Sequence, residues 1–298
     1  DGNGGEGWKI QVCDDSSVPY SIPQEQRVAG SFYVSPIGCN LNDGSELSPW
    51  RTLSFACNQV KEGSTIYLLA GTIYEDSICR VPRNVSIIGK GRTITTLKSR
   101  YFYKGIVGAW DLGKNKYLIQ YADSCDGIEI SNFTLDGNNH QSHGGMIINN
   151  AKNVNIENLF VKDFNFNGIW VANSENLNID KINMSETSLP STNSCSGMLM
   201  LGTTTNAEIS NCVFTNSNKE YGGYGIKTWD YNWNSYQNPA GQTIKLTNVN
   251  IHDCKFDLYP YGGWNNGTSV NICVELYSTS LDQCMITDNI FIGNLSMV

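Results

Sequence analysis

The sequence predicts an all-β chain wound as a right-handed, single-stranded parallel β-helix, a solenoid plugged at its N-terminal end by one short α-helix. Three observations predict it. From residue 130 onward a six-residue pattern, apolar-x-Asn-x-x-apolar, recurs at 130–135, 156–161, 179–184, 209–214, 246–251 and 286–291, with Asn at the third place in four copies and Asp in one. Most copies are followed by a short run opened by Gly, at 145–148, 168–171, 197–200 and 225–228, with 271–274 as a looser fifth. Every run is too short to repay helix nucleation, and its apolar residues alternate as those of a strand do.

Such a strand cannot bury its apolar side alone. Stacking successive copies about 4.8 Å apart solves this, because backbone bonds then run from coil to coil and like residues form internal ladders. Asn at a fixed bend fits the same picture, since its short amide tolerates left-handed backbone and reaches the Asn of the next coil. A Gly-rich antiparallel sandwich is the competing reading, and it has no need of one residue type at one place in every repeat.

The chain divides into three stretches of one continuous domain. Residues 1–30 carry no clear pattern and are expected to pack along the outside. Residues 31–117 hold the cap: Ser48 and Pro49 supply a helix start, and Trp50, Leu53, Ala56, Cys57 and Val60 form an apolar stripe at helical spacing. Opening strands follow at 65–69, 85–88 and 93–97, separated by Gly71 and by Gly89 and Gly91. Residues 118–298 are the coils, with insertions on one face.

Composition removes several classes. The 298 residues are 40% hydrophobic and 16% charged, and no apolar run reaches the roughly 18 residues of a membrane span. Aromatic residues at 11% give the chain enough to bury, which excludes disorder. A net charge of -8 argues against nucleic acid as a partner. Ten cysteines, at 13, 39, 57, 79, 125, 195, 212, 254, 273 and 284, include no CxxC pair and read as disulfide formers rather than zinc ligands. Cys13, Cys39, Cys57, Cys79, Cys125, Cys195, Cys212, Cys254, Cys273 and Cys284 thus place the chain in an oxidising, secreted or extracellular setting. Their connectivity stays open. The start of the sequence shows no signal peptide, consistent with a mature or trimmed form. Glycosylation sequons fall at Asn84, Asn132, Asn183, Asn266 and Asn294.

A resemblance supports the fold. Phe32 to Pro36, Asn42 to Gly44, Ser48 to Trp50, Thr52 and Leu53, and the run from Gly63 to Tyr74 with its Ala70-Gly-Thr-Ile-Tyr74 close resemble the opening segment of secreted right-handed β-helix proteins of the pectate-lyase-like superfamily. The likeness is strong over the first third of the chain. It implies the fold and a carbohydrate setting, and it transfers no catalytic residue.

The insertions at 136–144, 162–167, 185–196, 215–224 and 252–270 fall at the same bend of every coil, so they project from one side, commonly a solenoid's binding side. They carry Asp136, His140, His143, Asp163, Phe164, Glu186, Lys219, Glu220, Tyr221, Tyr224, Tyr259, Tyr261 and Trp264, and a further insertion at 229–245 adds Trp229, Asp230, Tyr231, Trp233 and Tyr236. Flat aromatic faces suit sugar rings, which makes Trp170, Trp229, Trp233, Tyr261 and Trp264 the substrate-binding candidates. With Ile169 and Val171 inward, the outward row becomes Ile147, Trp170, Leu199, Lys227 and Cys273, mostly apolar, and a cover over that sheet is expected, from the insertions or from another protein.

Two chemistries compete with simple binding. A uronate lyase needs a base and a cation, and Lys227 as base with Asp230 and Glu275 as orienting groups or calcium ligands is the catalytic candidate; calcium is the one cofactor this reading admits. Against it, no Arg follows Arg100, and residues 118–298 hold seven Lys against seventeen Asp and Glu, a poor host for an anionic polymer. A glycosidase needs two carboxyl groups across a cleft, drawn from Asp136, Asp163, Asp230 and Glu275. His140 and His143 offer only a weak metal pattern. No polar cap follows the last pattern copy, so the C-terminal end is expected to dock on a neighbouring protein or a second copy, or to continue in a longer protein. The functional expectation is a secreted protein that binds or cleaves a polysaccharide or other glycan, with an extracellular structural or filament-forming glycoprotein as the alternative.

Overall fold

A computed structural model describes residues 13, 28–100, 117–139, 144–185, 197–216, 224–228, 243–258, 272–276 and 279–292. Among them every strand pairing is parallel, which removes the antiparallel sandwich. The strands form three sheets: a ten-stranded sheet A from Ser31–Val34 to Met285–Thr287, an eight-stranded sheet B from Gly71–Glu75 to Ile290–Ile292, and a seven-stranded sheet C from Cys79–Val81 to Ile272–Glu275. One coil shows the route: Lys152–Glu157 in sheet A, Phe160–Lys162 in sheet B, Ile169–Ala172 in sheet C, and Ser174–Asp180 back in sheet A.

The six-residue pattern straddles a corner rather than forming one strand. Its third residue takes left-handed backbone, with φ of 65° at Asn132, 52° at Asn158, 55° at Lys181, 52° at Asn211, 52° at Asp253 and 53° at Asp288. That conformation turns the chain from sheet A into sheet B, and Asn and Asp adopt it at little cost. The copy placed at 246–251 is out of frame by five residues: Ile251 pairs with Ile209 and Phe256 with Phe214, so the true copy is 251–256. Asn248 belongs instead to a second left-handed column, five residues upstream of the first, made of Gly127, Asn153, Asn176, Asn206, Asn248 and Gln283. Here the amides link rung to rung: Asn153 donates to Asp126 at 2.7 Å, Asn176 to Asn153 at 2.9 Å, Asn206 to Asn176 at 3.1 Å and Asn248 to Asn206 at 3.0 Å.

The core is a stack of ladders. Ile130, Ile156, Ile179, Ile209, Ile251 and Ile286 align in sheet A, and Leu135, Val161, Met184, Phe214, Phe256 and Phe291 align in sheet B. The Phe214 and Phe256 rings stack at 4.8 Å, and Phe256 and Phe291 at 5.2 Å.

The cap helix spans Leu53–Gln59 and buries Leu53, Ala56 and Cys57. It starts later than Ser48 and Pro49 predict. The Pro49 carbonyl is taken by the Cys39 N–H and the Asn42 amide, and Trp50 bridges to Val34 as a strand residue, so the first helical turn waits for Thr52, whose hydroxyl accepts the Phe55 N–H at 3.3 Å. Glu75, fully buried on sheet B, accepts the N–H groups of Leu53 and Ser54, the latter at 3.1 Å. Burial pushes this carboxyl up to about 7 despite those hydrogen bonds.

Candidate functional site

Most of the longer connections join a sheet B strand to the next sheet C strand, and the one between Thr228 and Ile244 joins sheet C to sheet A, so in chain order the insertions flank the sheet C strands. Register places Arg80, Gln120, Ile147, Trp170, Met200, Lys227 and Glu275 in one row on sheet C. Two residues expected in that row face the core instead. Leu199 pairs with Ile169 and Ile226, and Cys273 packs within the main core. The expectation fails because the Gly that opens each run does not mark a fixed phase: Ile169 pairs with Leu199, which sets Gly168 beside Met198 rather than Gly197. These glycines answer to close backbone approach, and a Cβ on Gly145 would lie 2.3 Å from the Gly168 carbonyl oxygen.

The row is closed to solvent in its middle. Ile147, Trp170 and Met200 join Tyr117, Phe166 and Ala172 in a second apolar cluster, in which the Tyr117 and Trp170 rings meet edge to face at 6.4 Å. Trp170 is 0% exposed, so its faces are occupied by protein, and it is withdrawn from the sugar-stacking candidates. The row's polar members lie at its two ends, with Arg80 donating to Gln120 at 3.0 Å at one and Lys227 at the other.

Lys227 is 2% exposed, with its Nζ 4.1 Å from the centre of the Tyr224 ring, an ammonium held on an aromatic face. On the next rung Glu275 stands opposite it in register. Asp230, Trp229, Trp233, Tyr261 and Trp264 lie outside the described residues, as do Asn266, Asn294, Cys195, His140, His143, Glu186, Lys219, Glu220, Tyr221, Tyr231, Tyr236 and Tyr259. Among the described residues no three His, Cys, Asp or Glu side chains converge on a metal position.

At the border of sheets B and C an ionic strut joins three rungs. Asp136, almost buried, is reached by Lys98 at 3.1 Å and Lys162 at 3.3 Å, and Lys162 also meets Asp163 at 2.7 Å. Burial pulls the Lys162 pKa down, but the Asp163 hydrogen bond and the Asp136 charge outweigh it and leave the group above the ordinary lysine value. The structure therefore does bring together two of the glycosidase candidates, Asp136 and Asp163, through a shared ammonium that occupies both carboxylates. Asn167, fully buried, makes no side-chain hydrogen bond among the described residues. At the other border, Asn173 donates to Asn149 at 3.0 Å and Asn149 to Asp123 at 3.2 Å.

Sheet A carries a site that the sequence reading passed over. His252 reaches the preceding rung by a hydrogen bond to Glu208 and bonds its own neighbour Asp253 at 2.7 Å. The bond to Asp253, then that to Glu208, raises its pKa above the ordinary value. The signal was the two-residue alternation of sheet A, which sets Ser210 and His252 side by side and turns Glu208 to the same face. Of the glycosylation candidates, Asn84 donates to Glu62 at 2.9 Å and accepts from the Asp126 N–H at 2.6 Å, Asn132 accepts from Asn158 at 2.7 Å, and Asn183 lies half-buried on sheet B. Among the described residues one disulfide, Cys13–Cys39, is formed, and Cys57, Cys79, Cys125, Cys212, Cys254, Cys273 and Cys284 are thiols.

No protein-family model matches the chain. No curated protein matches it either. Among solved structures it is similar to PfbA, a surface adhesin of Streptococcus pneumoniae, at 16% identity and a TM-score of 0.50, over 80% of this chain and 66% of the adhesin. It is also similar to the catalytic domain of a GH87 α-1,3-glucanase, at 14% identity and a TM-score of 0.44 over 89% of this chain and 47% of that one. A pectin methylesterase from carrot shares 10% identity at a TM-score of 0.43, over 86% and 88% of the two chains. The chain thus spans 66% of the adhesin's length and 47% of the glucanase domain's. At such identities the likeness establishes architecture: the chain is a right-handed parallel β-helix.

Proposed function

We propose that the chain is an extracellular β-helix protein that binds a polysaccharide through the loops bordering sheet C, by adhesion and without cleaving it. The observation that carries this reading is the state of Lys227. A lyase base has to reach a proton on its substrate; Lys227 is buried against Tyr224, at the end of a row whose middle is closed by Trp170 and Met200. The carbohydrate half of the proposal is supported by the resemblance of the opening segment and by the aromatic residues concentrated in the insertions. The surface adhesin it is similar to fits an extracellular setting, as does the Cys13–Cys39 disulfide.

Affinity electrophoresis against neutral and uronic polysaccharides, run beside reducing-end and unsaturated-product assays, tests it. Retention without product is expected. Product formation that Lys227→Ala abolishes would overturn it in favour of a lyase, and absence of retention on every polymer would overturn the carbohydrate reading. One observation favours the structural alternative: on the last described rung Leu281, Met285, Ile286, Ile290, Phe291 and Ile292 are all exposed. Met285, Ile290 and Ile292 there stand where the preceding rung carries Asn250, Lys255 and Asp257. Sedimentation showing a monomer at high concentration would remove that alternative.

A further inference from the structure

The left-handed corner between sheets A and B places one residue in the core immediately after each turn: Phe133, Leu159, Ile182, Cys212 and Cys254 in successive rungs. Two consecutive members are cysteines. Their strands are in register on both sides, with Ile209 opposite Ile251 and Val213 opposite Lys255. Cys212 and Cys254 are therefore direct neighbours across one rung step. Asn211 and Asp253, which precede them, share a φ of 52°, so the two side chains leave the backbone in the same way.

The sulfur contacts repeat accordingly. Cys212 Sγ lies 3.1 Å from the Ser210 carbonyl and 3.8 Å from that of Ile179 on the rung before; Cys254 Sγ lies 3.2 Å from the His252 carbonyl and 3.7 Å from that of Ile209. The neighbouring Cys212 thiol draws Cys254 below the ordinary thiol value, and Cys254, together with burial, pushes Cys212 above it. A parallel rung step of about 4.8 Å falls inside the Cα separation of roughly 4.4–6.8 Å that a disulfide accepts.

We propose that Cys212 and Cys254 are a redox pair that closes to an inter-rung disulfide in an oxidising compartment, fastening the coil that carries Lys227. This inference is independent of any glycan. The oxidant is a small-molecule disulfide of the glutathione class. Cys254 thiolate attacks one of its sulfurs and expels the first small thiol; Cys212 thiolate then attacks Cys254 Sγ in the mixed disulfide and expels the second. The two protein protons end on the two released thiols, so two protein thiols are oxidised and one small disulfide is reduced. Both protein sulfurs are buried, and exchange therefore runs while this coil is open during folding.

The test is peptide mapping of protein made in an oxidising compartment, denatured and alkylated without reductant. A cross-linked peptide pair holding Cys212 and Cys254 is expected, with loss of two alkylatable thiols relative to reduced protein. In a Cys212→Ala variant, shown by circular dichroism to keep its β signal, Cys254 should reappear as an alkylated thiol. Recovery of both cysteines alkylated from the unreduced parent, or of either one joined to a different cysteine, would overturn the proposal.

Discussion

Replacing Glu75 with Gln should remove a pH dependence of stability that the parent protein shows between about pH 4.5 and 7. Glu75 is fully buried beneath the cap helix, and removal from water raises its carboxyl from 4.5 to about 7, against the opposing pull of the Ser54 and Leu53 N–H groups. In the unfolded chain the same group loses its proton near 4.5. Between those values the folded state holds a proton that the unfolded state has given up, so stability is full below pH 4.5 and falls as pH rises through the folded pKa. The rise from 4.5 to about 7 corresponds to about 3 kcal/mol lost by neutral pH. The Cys57 and Cys79 thiols beside it and the Tyr121 hydroxyl behind them are all pushed up by burial, so none of them titrates in this window. Denaturant unfolding followed by circular dichroism at pH 4.5, 5.5, 6.5 and 7.5, on parent and Glu75→Gln, isolates the effect as a difference. The parent should lose about 3 kcal/mol relative to the variant across the series, at constant m-value. A difference that stays flat with pH would refute the assignment of a buried, partly protonated carboxyl.

Three further outcomes follow from the stack itself. Phe256→Ala should cost about 3–5 kcal/mol in denaturant unfolding, since the ring is buried between Phe214 and Phe291, whereas Phe291→Ala should cost less because that ring is already 38% exposed. Asn176→Ala should lose about 1–3 kcal/mol from a left-handed backbone position and two amide hydrogen bonds, and Asn176→Gly should recover the backbone part. His252, raised by Asp253 and then Glu208, contributes stability that is fully present below its unfolded pKa of 6.5 and is lost as pH rises through the higher folded value. Parent and His252→Gln should therefore differ in melting temperature at pH 6 and converge at pH 9.

The repeat was legible because its cause is local. Asn132, Asn158 and Asn211 recur at the corner where the backbone turns left-handed, and an apolar residue recurs two places before and three places after each. The same logic misplaced the copy at 246–251, since Asn248 looks like a corner residue but belongs to the column five residues upstream. Both columns demand the same conformation, and only the pairing of Ile251 with Ile209 separates them. The helix start at Thr52 was hidden because tertiary hydrogen bonds to Pro49 and the bridge at Trp50 override a favourable local sequence. Glu75 as the helix's buried acceptor was invisible for a related reason: its partners lie 21 and 22 residues away. On sheet C the outward placement of Ile147, Trp170 and Lys227 was readable from alternation, but the burial of Trp170 depends on side chains brought in from Tyr117 and Phe166. The meeting of Asp136 and Asp163 on Lys162 likewise arises only when the rungs stack.

Hydrogen exchange with and without a retained oligosaccharide tests most directly where this molecule works. Slowed exchange should concentrate at the edges of sheet C, in 137–139, 144–149, 163–173 and 197–203, and leave the sheet A strands Lys152–Glu157, Ser174–Asp180 and Thr204–Ser210 unchanged. Protection confined to those sheet A strands would contradict a binding side formed by the loops that border sheet C.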